Sequence, residues 1–137
     1  MSYYFNTLLK GKSFEEAIEL VTTELKKEGF GVLTEIDVKE TLKNKIDVDF
    51  KKYKILGACN PHFAHKALQS EDKIGVFLPC NVIVEENENG EVEVSAVDPI
   101  ASMSPVKNEA LSSLASEVQE KLMKVIENLK AKDNTKA

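Results

Sequence analysis

The sequence predicts an α+β fold of two layers, a mixed, mainly antiparallel five-stranded sheet with helices packed on one face. Three observations carry that expectation. A capping box of Ser13 and Glu16 opens an amphipathic helix, a second apolar stripe runs from Leu111 to Leu129, and Asn89-Gly90 separates two strand-like apolar runs. With 137 residues, 42% of them hydrophobic, the chain suits one domain over residues 1–137 with a sizeable core.

The elements follow in order. Tyr3 to Leu9 is rich in aromatics and leucine and closes at Lys10-Gly11-Lys12, which reads as a first strand and its turn. Ser13 then opens a helix to about Glu28: Phe14, Ala17, Ile18, Val21 and Leu25 form one stripe, and Glu15, Glu19, Glu24 and Lys26 are expected opposite it. Gly29 fits the left-handed residue just past its end. Val32, Thr34 and Ile36 alternate through a second strand from Phe30 to Ile36. Asp37 with Glu40 repeats the cap pattern and starts a short helix from Val38 to Lys43 or Asn44. Ile46 to Lys52 is then a loop that turns Val48 and Phe50 inward. Tyr53 to Cys59 (YKILGAC), apolar on both faces, is a third strand at a buried position.

Asn60-Pro61 stops that strand and starts a helix over His62 to Gln69, with asparagine as cap and proline at the first helical position. Ile74 to Val84 (IGVFLPCNVIV) reads as a long fourth strand that Pro79 interrupts by a bulge or an edge position. The Asn89-Gly90 turn makes the fifth strand, around Val92 to Val94, its antiparallel neighbour. Asp98-Pro99 ends it, Ile100 to Val106 is a loop, and the C-terminal helix follows from about Lys107. Residues 130–137 lack an apolar pattern and are expected to fray.

Composition excludes several function classes. A net charge of -5 and a pI near 5.2 argue against a broad basic surface for nucleic acid or acidic lipid. The N-terminus, MSYYFNTLLKGKS, lacks the basic start and apolar run of a secretory signal. The longest apolar stretch, Ile74 to Val84, contains Asn81 and is too short to span a bilayer, so the expected address is cytoplasmic. Two cysteines in that setting are expected to stay reduced. No GxGxxG, GxxxxGK[ST] or HExxH motif is present. Glu85, Glu86, Glu88, Glu91 and Glu93 read as a solvated hairpin face, and Lys51-Lys52-Tyr53-Lys54 as a solvated strand entry.

Chemistry concentrates in Gly57-Ala58-Cys59-Asn60-Pro61-His62 and Phe77-Leu78-Pro79-Cys80-Asn81. Cys59 ends a strand just before a helix start, where free amides and the helix dipole favour a thiolate, though a small buried side chain also suits a strand end. Its relation to Cys80 depends on strand direction. Parallel neighbours starting at Tyr53 and Ile74 would bring the thiols to one sheet end, about 5 Å apart; antiparallel ones would leave them roughly 20 Å apart. His62 and His65 share a helix face and complete a Cys2His2 count, but without the paired spacing of a zinc finger.

Four segments together resemble the DUF302 family: Glu28-Gly29-Phe30-Gly31-Val32-Leu33-Thr34-Glu35-Ile36-Asp37-Val38, Leu56-Gly57-Ala58-Cys59-Asn60-Pro61, Leu78-Pro79-Cys80-Asn81-Val82 and Val97-Asp98-Pro99. The likeness spans Tyr3 to Leu129. It implies a compact α+β domain, often dimeric, of no established function. The family's CNP and PCN segments fall at Cys59, Asn60, Pro61, Pro79, Cys80 and Asn81, whereas His62 and His65 lie outside its pattern.

Three functions are compatible with these residues. The first is a small-ligand or partner-binding module with those six residues at the sheet end. The second is a thiol-based redox enzyme or sensor with Cys59 and Cys80 as catalytic candidates. The third is metal or haem binding through Cys59, Cys80, His62 and His65. No motif identifies a cofactor. A homodimer is expected, because a small sheet leaves an edge or face that a second copy can cover.

Overall fold

The computed structural model describes residues 2–132 and shows the α+β fold. Five strands, β1 (Tyr4–Leu9), β2 (Gly31–Asp37), β3 (Tyr53–Cys59), β4 (Cys80–Glu86) and β5 (Val92–Val97), form one sheet in the order β1-β5-β4-β3-β2. Every neighbouring pair is antiparallel, so the parallel component of the expected mixed sheet does not occur. Among the described residues five α-helices accompany them: α1 (Phe14–Lys27), α2 (Val38–Ile46), α3 (Pro61–Ser70), α4 (Pro99–Met103) and α5 (Glu109–Lys130).

The long helices form where local chemistry satisfies their ends. Ser13 Oγ accepts from the Glu16 amide, and the Glu16 carboxylate accepts from the Ser13 amide, which completes the capping box of α1. At the other end Phe30 N–H donates to Leu25 O and Gly29 N–H to Lys26 O, with Gly29 at φ 86°. This is a Schellman closure, and buried Phe30 supplies the apolar contact that accompanies it. On the sheet, Leu9, Val92, Val94, Ala96, Val82, Val84, Leu56 and Ala58 point to one face and are buried there against α1 and α5. Each such aliphatic side chain contributes on the order of 1.5–3 kcal/mol by leaving water.

Glu24 departs from the expected polar side of α1: it is fully buried. It stands one turn beyond Val21 on the same stripe, facing α5. Its carboxylate takes Lys27 Nζ at 2.9 Å and Lys132 Nζ at 3.8 Å. Desolvation opposes its charge, but hydrogen bonds from Lys27 and Asn128 and the charges of both lysines outweigh that and hold its pKa below the ordinary value.

The largest correction concerns Ile74 to Val84. Asp72–Phe77 is a 3₁₀ segment, and β4 begins only at Cys80. Pro79 cannot donate to a ladder, and Ile74 and Leu78 turn toward Ala67 and Leu111 to make a second hydrophobic cluster with Met103, Val106 and Leu114. In the segment expected as the loop from Ile100 to Val106, Asp98 caps the short helix α4 by accepting from the Ile100 amide. Val48 and Phe50, expected inward, are exposed, and Phe50 rests beside the Tyr53 ring. β2 is an edge strand whose register shifts between Val32 and Thr34, which leaves Leu33 outside the alternation and 69% exposed. Of the tail expected to fray from residue 130, residues 133–137 lie outside the described residues, and Lys130 is still helical.

Candidate functional site

The register of β3 with β4 places Ala58 opposite Cys80 and Gly57 opposite Asn81. Cys59 is the last residue of β3 and Cys80 the first of β4, so the two thiols come to the same end of the sheet although the strands are antiparallel. The expectation of a wide separation in an antiparallel pair rested on a β4 starting at Ile74, and the 3₁₀ segment removes that premise.

Gly57 holds this junction together. A methyl group at its Cα would overlap Thr34 Oγ1 from β2 and come within 2.8 Å of Pro79 Cγ, so the hydroxyl and the proline ring occupy the space a side chain would fill. Pro79, which follows a cis Leu78–Pro79 bond, is thus seated directly before Cys80.

Around the sheet end lies a cavity of about 300 Å³. Ala58, Cys59, Asn60, Pro79 and Cys80 line it from the sheet side. Phe63, Ala64, Ala67 and Leu68 of α3 form one wall, and Leu111, Leu114, Ala115 and Val118 of α5 form another. Its walls belong to both hydrophobic clusters, Ala58, Cys80 and Val118 to the main core and Ala67, Leu111 and Leu78 to the second. The cavity is the seam between them.

Its polar groups are few. Cys80 is buried, and burial together with nearby Cys59 pushes its thiol up to about 11. It is therefore a neutral thiol at physiological pH rather than a nucleophile. Asn60 is 9% exposed and does not cap α3 with its side chain, contrary to the sequence expectation. Instead its Nδ2 donates to Glu28 O at 3.4 Å, and a methyl group on Gly29 would sit 2.9 Å from that nitrogen. The amide thus ties the end of α1 to the start of α3.

The six sequence candidates divide. Cys59, Asn60, Pro79 and Cys80 meet at the cavity. Pro61 is exposed at the first turn of α3 and Asn81 lies on the opposite face of the sheet, so neither joins them. His62 and His65 are both exposed on α3 and do not line the cavity, and among the described residues no three His, Cys, Asp or Glu side chains are grouped as metal ligands. The four-ligand set Cys59, Cys80, His62 and His65 is therefore not assembled. Sequence reasoning missed the α3 and α5 walls. Their apolar stripes read as ordinary core, and the one available signal was the small residues Ala64, Ala67 and Ala115, which leave space where larger side chains would close it.

Comparison with known proteins agrees with the fold. Residues 5–129 match the family model described as domain of unknown function DUF302. The crystal structure of an uncharacterized conserved DUF302 protein from Bacillus stearothermophilus superposes with a TM-score of 0.86 at 29% identity, over 94% of this chain and 99% of that one. No curated protein matches the chain.

Proposed function

The chain belongs to the DUF302 family, and from that premise we propose that it is a small-ligand-binding module whose site is the cavity at the end of β3. One observation carries the reading: Cys59, Asn60, Pro79 and Cys80 meet at a concave apolar space between two packed clusters. A concave seam of this size, floored by a few polar groups and open at one side, has the character of a ligand pocket. A thermal-shift screen of small molecules on the intact protein tests it. Binders should raise Tm in the wild type and lose their effect in Cys80→Leu and Asn60→Ala; hits that persist in both folded variants would remove the site from this cavity.

Two thiols at one strand end also support a redox reading, but the protonated, buried state of Cys80 weighs against a thiolate mechanism there. The free thiols fit a reducing, cytoplasmic setting. We also read the protein as a homodimer. The sheet face away from α1 and α5 carries Tyr4, Ile55, Ile83 and Val97, beside Glu85, Glu93 and Lys51, an apolar strip with both charge signs that two copies could share about a twofold axis. Sedimentation of wild type against Ile83→Glu checks this, since a dimer through this face should dissociate and a monomer at all concentrations would refute it. No helix among the described residues is long and apolar enough to cross a membrane.

A further inference from the structure

We infer that the ligand of this cavity is a small, uncharged, mainly apolar molecule with one hydrogen-bonding end, an alkyl or aryl alcohol or amide in class. The inference rests on the ligand-binding reading above and adds the chemistry that the walls select.

Size comes first. A cavity of about 300 Å³ stands at the lower end of the range that small-molecule sites occupy, so it suits a ligand of modest size. Charge comes second. Among the described residues no Asp, Glu, Lys or His side chain lines the space, and the chain contains no arginine at all. A carboxylate, phosphate or ammonium drawn into it would lose its hydration without gaining a counter-ion, and an unpaired ion in an apolar site is strongly disfavoured. Cys80 does not change this, because burial holds its thiol protonated and it supplies no charge to pair with a cation.

Orientation comes third. Apart from the two cysteines, Asn60 is the one polar side chain on the wall among the described residues. Its Nδ2 is committed to Glu28 O, and its carbonyl end does not cap α3. An amide carbonyl accepts hydrogen bonds, so it suits a ligand hydroxyl or amide N–H. The body of the ligand would then lie along Ala64, Ala67, Leu114 and Ala115, bridging the two hydrophobic clusters. The apolar collar at the mouth extends the same preference outward, since Leu33 is 69% and Leu68 44% exposed.

Calorimetric titration of the full chain with 1-octanol, octanoate and octylammonium at pH 7, with amide chemical shifts followed in parallel, tests the inference. Octanol should bind one to one, at least about tenfold tighter than either ion, and shift amides of α3 and of the first turns of α5. Asn60→Ala should weaken octanol by about tenfold. Ala115→Phe should abolish binding by filling the seam, with Leu114→Phe as the second filled variant if the first does not fold. An ion that binds as tightly as octanol overturns the neutral class while leaving the ligand-binding reading intact. Octanol binding that survives in a folded, filled variant overturns the placement. If none of the three probes saturates or shifts these amides, both readings fall together.

Discussion

Replacing Gly57 by alanine tests how the site is built. The new methyl would overlap Thr34 Oγ1 and lie 2.8 Å from Pro79 Cγ, about 1 Å inside a comfortable carbon–carbon contact. Thr34 is on an exposed edge strand and can rotate its hydroxyl away. Pro79 is a ring fixed between Leu78 and Cys80 and cannot, so the start of β4 must move. Overpacking of this kind costs about 1–3 kcal/mol. Alanine also restricts the unfolded chain, which offsets about 0.4–1 kcal/mol, so the net loss is at most about 2.6 kcal/mol and about 1.3 kcal/mol at mid-range, or a Tm lower by roughly 3–6 °C. Urea unfolding followed by circular dichroism measures it. The pair Gly57→Ala with Thr34→Ala should recover only the hydroxyl's share and leave the part due to Pro79. An unchanged or raised midpoint in the single variant, or full recovery in the pair, would refute the account of Gly57 as the contact that seats Pro79.

Three further outcomes follow from the same structure. The Cys80 thiol, pushed up to about 11 in the fold from an ordinary value of 9.0, keeps its proton when the unfolded chain has lost it, so stability should fall as pH rises between about 9 and 11. Its share of the slope should approach about 1.4 kcal/mol per pH unit and be lost in Cys80→Ala, which keeps the part due to Lys51 and Tyr53, whose values the fold also raises; denaturant melts of both proteins across pH measure it, and equal slopes in the two would contradict the burial argument. Leu122→Ala should lose about 2–5 kcal/mol in chemical unfolding, since Leu122 is fully buried between α5 and the sheet, and a loss under about 1 kcal/mol would mean the core packs elsewhere. Asn108 accepts from the Ala110 amide and donates to Ser70 O at 2.9 Å, so Asn108→Ala should cost about 1–2 kcal/mol and speed amide exchange at the end of α3 as well as in α5. Faster exchange in α5 alone would show that the link to Ser70 contributes nothing.

Features fixed by neighbours in the chain are legible in the sequence. The capping box at Ser13, the stop at Gly29, the Asn-Gly hairpin and the stripe of α5 depend on spacing within a few residues, and each is where its residues indicate. The segments that line the cavity from the sheet side stand out in the sequence too, because Cys59-Asn60 and Pro79-Cys80 set thiol and amide groups at breaks in regular structure. Glu24 shows the limit on the local side. Its charge indicates the solvent face, but its position on the stripe and two lysines, one of them from beyond α5, allow it to be buried.

Which of these groups meet is a matter of long-range contacts. Ile74 to Phe77 is apolar enough for a strand, and alternation cannot distinguish that from a segment whose apolar residues turn to a second cluster. That choice depends on Leu111, Met103 and Val106, far along the chain, and it moves the start of β4 to Cys80. Strand register then follows, and it brings Cys59 to Cys80 while sending Asn81 to the other face. The cavity is more distant still from the sequence, because space between two clusters is a property of how α3 and α5 pack. Helices and strands are written in caps and periods that span a few residues each. The site arises only when those elements pack, since packing sets the register and leaves the seam.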